Sequence, residues 1–311
     1  CHDMVYDLVR DRVVLGGMWG TDNHIYEYDG NNWITCPEPP LGFVQTKMIY
    51  NVQQELSIAY IGYYPEKVFE YNGVVWTIKE PVTIPGGNDI YAIRGYGLAY
   101  DSTREVIVLF GGYYLYSGYN YVANLTWEYN GLNWQLINSS NSPPARWDFS
   151  MDYDSLRNRC IVFGGLNENL DVYGDTWAYD GTAWVEINCP DNPNPITDAS
   201  MVYDSHRDRM VLFGGYDEYL GTRSDKTWEF DGYTWIETTP NQNPAPRNDH
   251  ALAYDSYRKR MILFGGFDGT HDLNDTWEYR NNETTIPTLS IIPSILLLTL
   301  LSMLLTFTKR A

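Results

Sequence analysis

The chain is poor in the features that announce chemistry. Its 311 residues include four cysteines, Cys1, Cys36, Cys160 and Cys189, and no two of them stand as C-x-x-C, so neither a zinc ribbon nor a thioredoxin-type site is supported. Nucleophile-elbow, P-loop and H-E-x-x-H patterns are missing, so no catalytic residue, metal ligand or cofactor is assigned. Positive charge is scarce: 21 Lys and Arg face 40 Asp and Glu, a formal charge of −19. A surface of that sign repels phosphate backbones, which argues against nucleic acid as a partner. Long hydrophobic runs are absent until the last few dozen residues.

Tyrosine and tryptophan are plentiful instead, at 27 and 11. Both suit half-buried pleated surfaces. The pattern Y-D-S-x-R-x-R, an apolar run and Gly-Gly recurs at Tyr153, Tyr203 and Tyr254, and at Tyr100 with Arg104 alone, with looser copies at Tyr6 and Tyr50. The tyrosines are spaced by 44, 50, 53, 50 and 51 residues. A period near 50 with short apolar runs is the signature of a blade-by-blade β-propeller.

Each full unit divides into four runs. In the fifth, they are expected at 199–203, 210–213, 227–230 and 233–236, separated by Asp204-Ser205, Gly214-Gly215 and Asp231-Gly232. The second run is apolar at consecutive positions, as in Met210-Val211-Leu212-Phe213, which is how a strand covered on both faces reads. Glycine pairs at Gly16-Gly17, Gly111-Gly112, Gly164-Gly165, Gly214-Gly215 and Gly265-Gly266 would allow close backbone approach where blades converge. Trp127, Trp177, Trp228 and Trp277 on the third run, and Trp33, Trp76, Trp134, Trp184 and Trp235 on the fourth, are expected to fill the space between sheets. The fold expected is all-β: about six four-stranded antiparallel blades over residues 1–282, with repeats near 1–40, 41–90, 91–143, 144–194, 195–245 and 246–282, followed by a C-terminal segment, 283–311. The sixth repeat stops at Tyr279 with no fourth-run Trp, so the last blade is expected to be incomplete. The sequence opens inside a repeat, and an upstream strand is the expected donor that closes the ring.

Gly-Gly, the downstream T-W-x-[YF] and the D-G-x-x-W turn, as in Thr176-Trp177-Ala178-Tyr179 with Asp180-Gly181-Thr182-Ala183-Trp184, resemble the kelch-repeat family, in the branch related to galactose oxidase. The resemblance covers roughly residues 1–280 and implies a kelch-type propeller. Copper-radical chemistry is not carried over, because no cysteine near a ligand cluster matches the one it needs.

From Thr284 to Thr308 no residue is charged, and Lys309-Arg310 follow. At about 1.5 Å per residue a helix of that length spans a bilayer's ~30 Å core. The basic end predicts a cytoplasmic C-terminus, with the repeats then expected outside the cell. Ile286-Pro287-Thr288-Leu289, the hydrophobic stretch and the basic end resemble an IPTL-type C-terminal sorting signal, which implies an exosortase-like processing peptidase as a partner. An ordinary single-pass anchor is the alternative.

Antiparallel connectivity sorts the loops onto two faces. Tight Asp-Ser-x-Arg and Asp-Gly turns share one; long, variable connections share the other, where binding is expected. Tyr113, Tyr114, Tyr116, Tyr119 and Tyr121 crowd one such loop, and Tyr216 and Tyr219 another. Tyrosines combine apolar area with a polar tip, which suits a protein or glycan ligand; covering blade edges is the competing reading. His2 and His250 each lie four residues before a repeat tyrosine, which allows either a shared metal site or local packing. Asp268–Asp275 reads as a calcium loop or a solvated one. The Asp–Arg pairs Asp101/Arg104, Asp154/Arg157, Asp204/Arg207 and Asp255/Arg258 read as mostly exposed ion pairs contributing roughly 0–1 kcal/mol each. Cys36 and Cys189 occupy matching places after a Trp-bearing run, but spacing alone does not establish a disulfide. The function expected is a cell-surface binding or adhesion module tethered by its C-terminal helix; a carbohydrate-active or galactose oxidase-like enzyme and a structural spacer are the alternatives.

Overall fold

A computed structural model describes residues 2–17, 24–39, 46–62, 67–81, 83, 85, 90–116, 119–139, 141–240, 242–281 and 305–310. Six four-stranded antiparallel sheets follow one another along the chain, each with its first strand innermost and its fourth outermost. The innermost strands are Asp3–Asp7, Thr46–Asn51, Gly97–Asp101, Ser150–Asp154, Ser200–Asp204 and Ala251–Asp255. Each contacts the next, and the last contacts the first, so the sheets form a closed ring of six blades.

Turn chemistry explains why the strands stop where they do. In the fourth blade the carboxylate of Asp154 accepts the N–H of Arg157 at 3.1 Å and pairs with its guanidinium at 3.0 Å. Asp204 accepts Arg207 N–H at 3.2 Å, and Asp255 accepts Arg258 N–H at 2.8 Å. The fourth strand of the fifth blade is Trp235–Thr238, two residues later than expected. Asp231 takes the N–H groups of Tyr233 and Thr234 on its carboxylate, which commits both residues to the turn.

The aspartates of the Asp–Arg pairs are buried, between 1% and 3% exposed at Asp101, Asp154, Asp204 and Asp255, so the expectation of exposed ion pairs is overturned. Arg104 and Arg207 reach on to Glu128 and Glu229 of the third strand, both at 2.6 Å. The neighbouring blade then adds a tyrosine: Tyr179 donates to Glu128 at 2.9 Å and Tyr279 to Glu229 at 2.7 Å. Arg104, Arg157 and Arg258 also lie across the D-G turn of the next blade. A Cβ at Gly30 would sit 2.8 Å from Arg258 Nε, and Gly30 has φ +96°, so the motif glycine is needed for space and backbone angle together.

Tryptophans of the fourth strand, more than those of the third, fill the space between sheets. Trp184 and Trp235 are 1% and 2% exposed, and their indoles donate to Thr126 and Thr176 of the preceding blade at 2.9 Å. Of the third-strand set Trp177 is buried, while Trp127, Trp228 and Trp277 are half-buried. Trp177 and Trp277 donate to Asp175 and Asp275, which clamp the buried Arg146 and Arg247. At the glycine pairs, a Cβ on Gly214 would lie 2.6 Å from the carbonyl of Arg247, and one on Gly215 would lie 2.9 Å from that of Thr197. Both have positive φ, and Gly215 N–H donates to Arg247 O across the blade boundary. Gly16 ends a strand, and Gly17 alone of its pair takes positive φ.

The junction of the first and sixth blades uses the indole–threonine and tyrosine–glutamate contacts seen between the third and fourth blades. Trp33 donates to Thr276 at 2.9 Å, Tyr28 to Glu278 at 3.3 Å, and Met4, Tyr6, Val13 and Leu15 pack with Ala251, Ala253 and Ile262. The sixth blade is not incomplete: Leu305–Arg310 pairs with Thr276–Asn281 as its fourth strand. Phe307 stands opposite Tyr279, the register position that Trp184 holds opposite Tyr179 and Trp235 holds opposite Phe230. An edge left open there would expose a row of unpaired backbone groups. The expected span Thr284–Thr308 lies outside the described residues up to 304, as does the motif Ile286–Leu289, and the span's last four residues belong to this strand. Among the described residues no helix is long and apolar enough to cross a membrane. Cys36, Cys160 and Cys189 are free thiols, so Cys36 and Cys189 are not bridged.

Trp235→Ala, which removes an indole packed between two blades, is expected to cost about 3–5 kcal/mol of unfolding free energy, measured by urea titration.

Candidate functional site at the channel mouth

Both faces of the ring open onto its axis. A cavity of about 330 Å³ runs to the tight-turn face, lined there by Leu8, Val52, Ser102, Ser205 and Ser256. A second, of about 280 Å³, opens on the variable face. Lys47, Phe149, Ala199 and Ser200 belong to both walls, so the two form one axial channel.

Three aspartates surround the mouth on the variable face. Asp148, Asp198 and Asp249 each lie five residues before a repeat tyrosine, and Gly95 holds the matching place in the third blade. All four adopt positive φ, between 52° and 58°. A relay of backbone hydrogen bonds links them: Asp148 N–H to Gly95 O at 2.9 Å, Asp198 N–H to Asp148 O at 3.0 Å, and Asp249 N–H to Asp198 O at 3.1 Å. The relay laces four blades together and turns the carboxylates toward a common opening. Burial pushes the carboxyls of Asp148 and Asp198 up, and the negative charge of neighbouring aspartates adds to the rise. Deeper in, burial lifts Asp152 to about 6 although it accepts the N–H groups of Tyr153 and Tyr203.

His2 and His250 both reach this cavity but do not make a metal centre. His2 Nε2 bonds the carbonyl of Phe264 at 3.0 Å, and the His250 ring packs edge-on against Phe213. No group of three His, Cys, Asp or Glu among the described residues is placed to hold a metal ion. Burial, then the charge of Arg247, lowers His250 to about 3, so its imidazole is neutral. In the acidic loop, Asp268 accepts bonds from the Thr270 hydroxyl and the N–H groups of Thr270 and His271, which pull it down to about 2.

The expected tyrosine cluster divides. Tyr113–Tyr116 and Tyr119–Val122 form a hairpin that pairs with Ile90–Arg94. Tyr119 is 77% exposed, and Tyr116 and Tyr121 are just over a third exposed. Tyr114 is fully buried among Ile93, Tyr96 and Leu98 and stacks on Tyr121, so it is a packing residue and not a ligand-facing one. Alternation along the strand accounts for this: with one face covered, every second side chain must turn inward. Tyr113 meets Trp147, a wall residue of the mouth, with ring centroids 5.4 Å apart. On the fifth blade, Tyr219 is 70% exposed at a hairpin tip, whereas Tyr216 is half-buried under Arg223. The aspartate ring itself was missed from the sequence, although its signal was present: an aspartate at one repeat position in three consecutive units.

Two outcomes follow from this geometry. Tyr114→Ala should cost about 3–5 kcal/mol while Tyr119→Ala stays within about 0.5 kcal/mol, read from urea titrations of the two variants. Asp148→Asn should stabilise the protein at pH 8. A raised carboxyl pKa means that the folded state binds its proton more tightly than the unfolded state, so the cost of ionisation is complete above the folded value and absent below the unfolded one. The gain should therefore shrink as pH falls toward 4; a gain independent of pH in parallel thermal melts would contradict the charge argument.

Residues 97–294 match a family model described as the KLHDC2/KLHL20/DRC7 Kelch-repeats domain. No curated protein matches the chain. With the repeated turn chemistry, the six-sheet ring and a match over more than half of its length, the chain belongs to the kelch-repeat family.

Proposed function

We propose that this propeller is a protein-binding module that takes its partner on the variable face, around the channel mouth. The observation that carries this reading is the adjacency of the exposed tyrosine hairpin and a concave opening, joined through the contact of Tyr113 with Trp147. Tyr116, Tyr119 and Tyr121 supply rigid amphipathic surface at low entropic cost, the kind enriched in interface cores. Membership of the kelch family supports a protein partner. A glycan is the other ligand class such a surface suits.

The module is displayed at the cell surface in this reading, tethered through the charge-free stretch that begins at Thr284. Residues 284–304 already give about 31 Å as a helix, enough for a hydrocarbon core. Insertion through Thr308, with Lys309-Arg310 in the cytoplasm, requires Leu305–Arg310 to leave the sixth blade, because the same residues cannot serve both ends. An exosortase-like peptidase acting at Ile286–Leu289 belongs to the same proposal.

The combined variant Tyr116→Ala, Tyr119→Ala and Tyr121→Ala should lose partner or glycan binding, measured on the ligand that a surface-display screen or glycan array returns, with little change in Tm. Undiminished binding would exclude this face. For the tether, Leu297→Arg with Leu300→Arg in the full chain should abolish sedimentation with lipid vesicles, since each central arginine costs roughly 2.5–3.5 kcal/mol on insertion scales.

A further inference from the structure

We infer that the tight-turn face of the ring lies flat on an anionic lipid surface, so that the variable face points away from the membrane. The inference rests on the reading of the charge-free stretch as a tether and adds the orientation of the whole module.

The route of the chain is the first observation. In the sixth blade Met261 stands opposite Tyr279, so the third strand ends at Asn281 beside the Asp255–Arg260 turn, on the tight-turn face. Leu305 is the register partner of Asn281. The segment between them therefore leaves from this face, and returns to it whenever Leu305–Arg310 occupies the blade. Glu283 is the last charged residue before Thr284, and the steps from Asn281 to Thr284 span at most about 11 Å fully extended. A headgroup layer is roughly 5–8 Å deep on each side of the hydrocarbon core. A membrane span that starts at Thr284 thus holds the turn side of the sixth blade against that layer.

Turn geometry makes the face flat. The turns after the innermost strands join Asp7 to Arg12, Asn51 to Leu56, Asp101 to Val106, Asp154 to Arg159, Asp204 to Arg209 and Asp255 to Arg260. All have one length, so their tips reach one level. Every blade exposes a large apolar side chain at a turn tip there: Val9, Val74, Leu132, Leu156, Tyr233 and Tyr257, each more than half exposed. Turn chemistry does not demand apolar residues at these places, since Asn31 and Thr182 stand where Val74, Leu132 and Tyr233 do in other blades. Apolar side chains held in one plane gain by entering the boundary between headgroups and acyl chains, and tyrosine suits its polar edge.

Charge is the third observation. In those six turns Lys and Arg outnumber Asp and Glu by 10 to 9, against 21 to 40 in the whole chain, which leaves 11 to 31 elsewhere. Five of the nine acids, Asp7, Asp101, Asp154, Asp204 and Asp255, are buried, whereas Lys259 is exposed. The acidic remainder includes Asp148, Asp198 and Asp249 at the opposite mouth. An anionic membrane surface attracts the first face and repels the second. A second copy of the chain would offer the tips a face with no excess of negative charge, so lipid is the better complement.

The test uses the full chain with Cys1→Ser, Cys36→Ser and Cys189→Ser, which leaves only the buried Cys160, on vesicles of phosphatidylcholine and phosphatidylglycerol. A fluorophore is attached singly at Leu132→Cys, Leu156→Cys, Tyr119→Cys or Tyr219→Cys. Lipids carrying a nitroxide near the headgroup should quench the first two labels and leave the last two, on the variable face, at full emission. Quenching should fall when phosphatidylglycerol is omitted, and again when Val74→Glu and Tyr257→Glu are introduced. Both of those sites are exposed, so Tm should not change. Quenching of the variable-face labels, or quenching indifferent to either change, would overturn the inference while the tether stands. So would sedimented protein with no label quenched, the result expected if a second copy covers the tips. Failure of the unsubstituted chain to sediment with vesicles would remove the tether and the inference with it.

Discussion

The ring depends on buried carboxylates that hold two blades at once. The aspartate that ends the innermost strand of every blade but the second, where Asn51 stands, fastens its own turn and an arginine, and in the third and fifth blades that arginine reaches a third-strand glutamate that also receives a tyrosine from the next blade. Removing one partner would leave an uncompensated charge in a nearly dry site, which is far more damaging than losing a surface pair. The network therefore specifies the angle between blades as well as their cohesion. Tryptophan packing supplies apolar burial at the same boundary, and the indole N–H to threonine bond sets its depth.

The channel mouth is a consequence of this arrangement. One repeat position, occupied by aspartate in three successive blades, becomes a cluster of like charges because the blades share an axis. A linear array with the same sequence would leave those side chains a blade's width apart. The backbone relay from Gly95 to Asp249 holds the cluster together against its own repulsion, so the acids are maintained at some cost in stability.

Much of the fold was legible because its determinants are local. Gly-Gly, D-G-x-x-W and Y-D-S-x-R encode turns through positive φ and side chain to backbone hydrogen bonds within four residues, and these appear where the repeats place them. Third- and fourth-strand tryptophans look alike in sequence; only blade packing shows that Trp184 and Trp235 fill the gaps while Trp127 and Trp228 remain half-exposed. Similarly, the tyrosines after Gly112 read as one cluster, but hairpin pairing buries Tyr114 and exposes Tyr119. The strand at Leu305–Arg310 was hidden because its partner lies more than twenty residues upstream, beyond any turn signal.

By itself the sequence determined the repeat, the blade chemistry, the family and the acidic character, all of which arise from neighbours a few residues apart. Tertiary structure alone decided that the first blade meets the last with the same indole–threonine bond that joins the fourth and fifth blades to their predecessors, that the turn carboxylates are buried, and that Asp148, Asp198 and Asp249 face one opening. Those outcomes depend on distances between residues about fifty positions apart, or 243 for Trp33 and Thr276 at the ring's closure, and such distances come into being only when the sheets pack around a common axis.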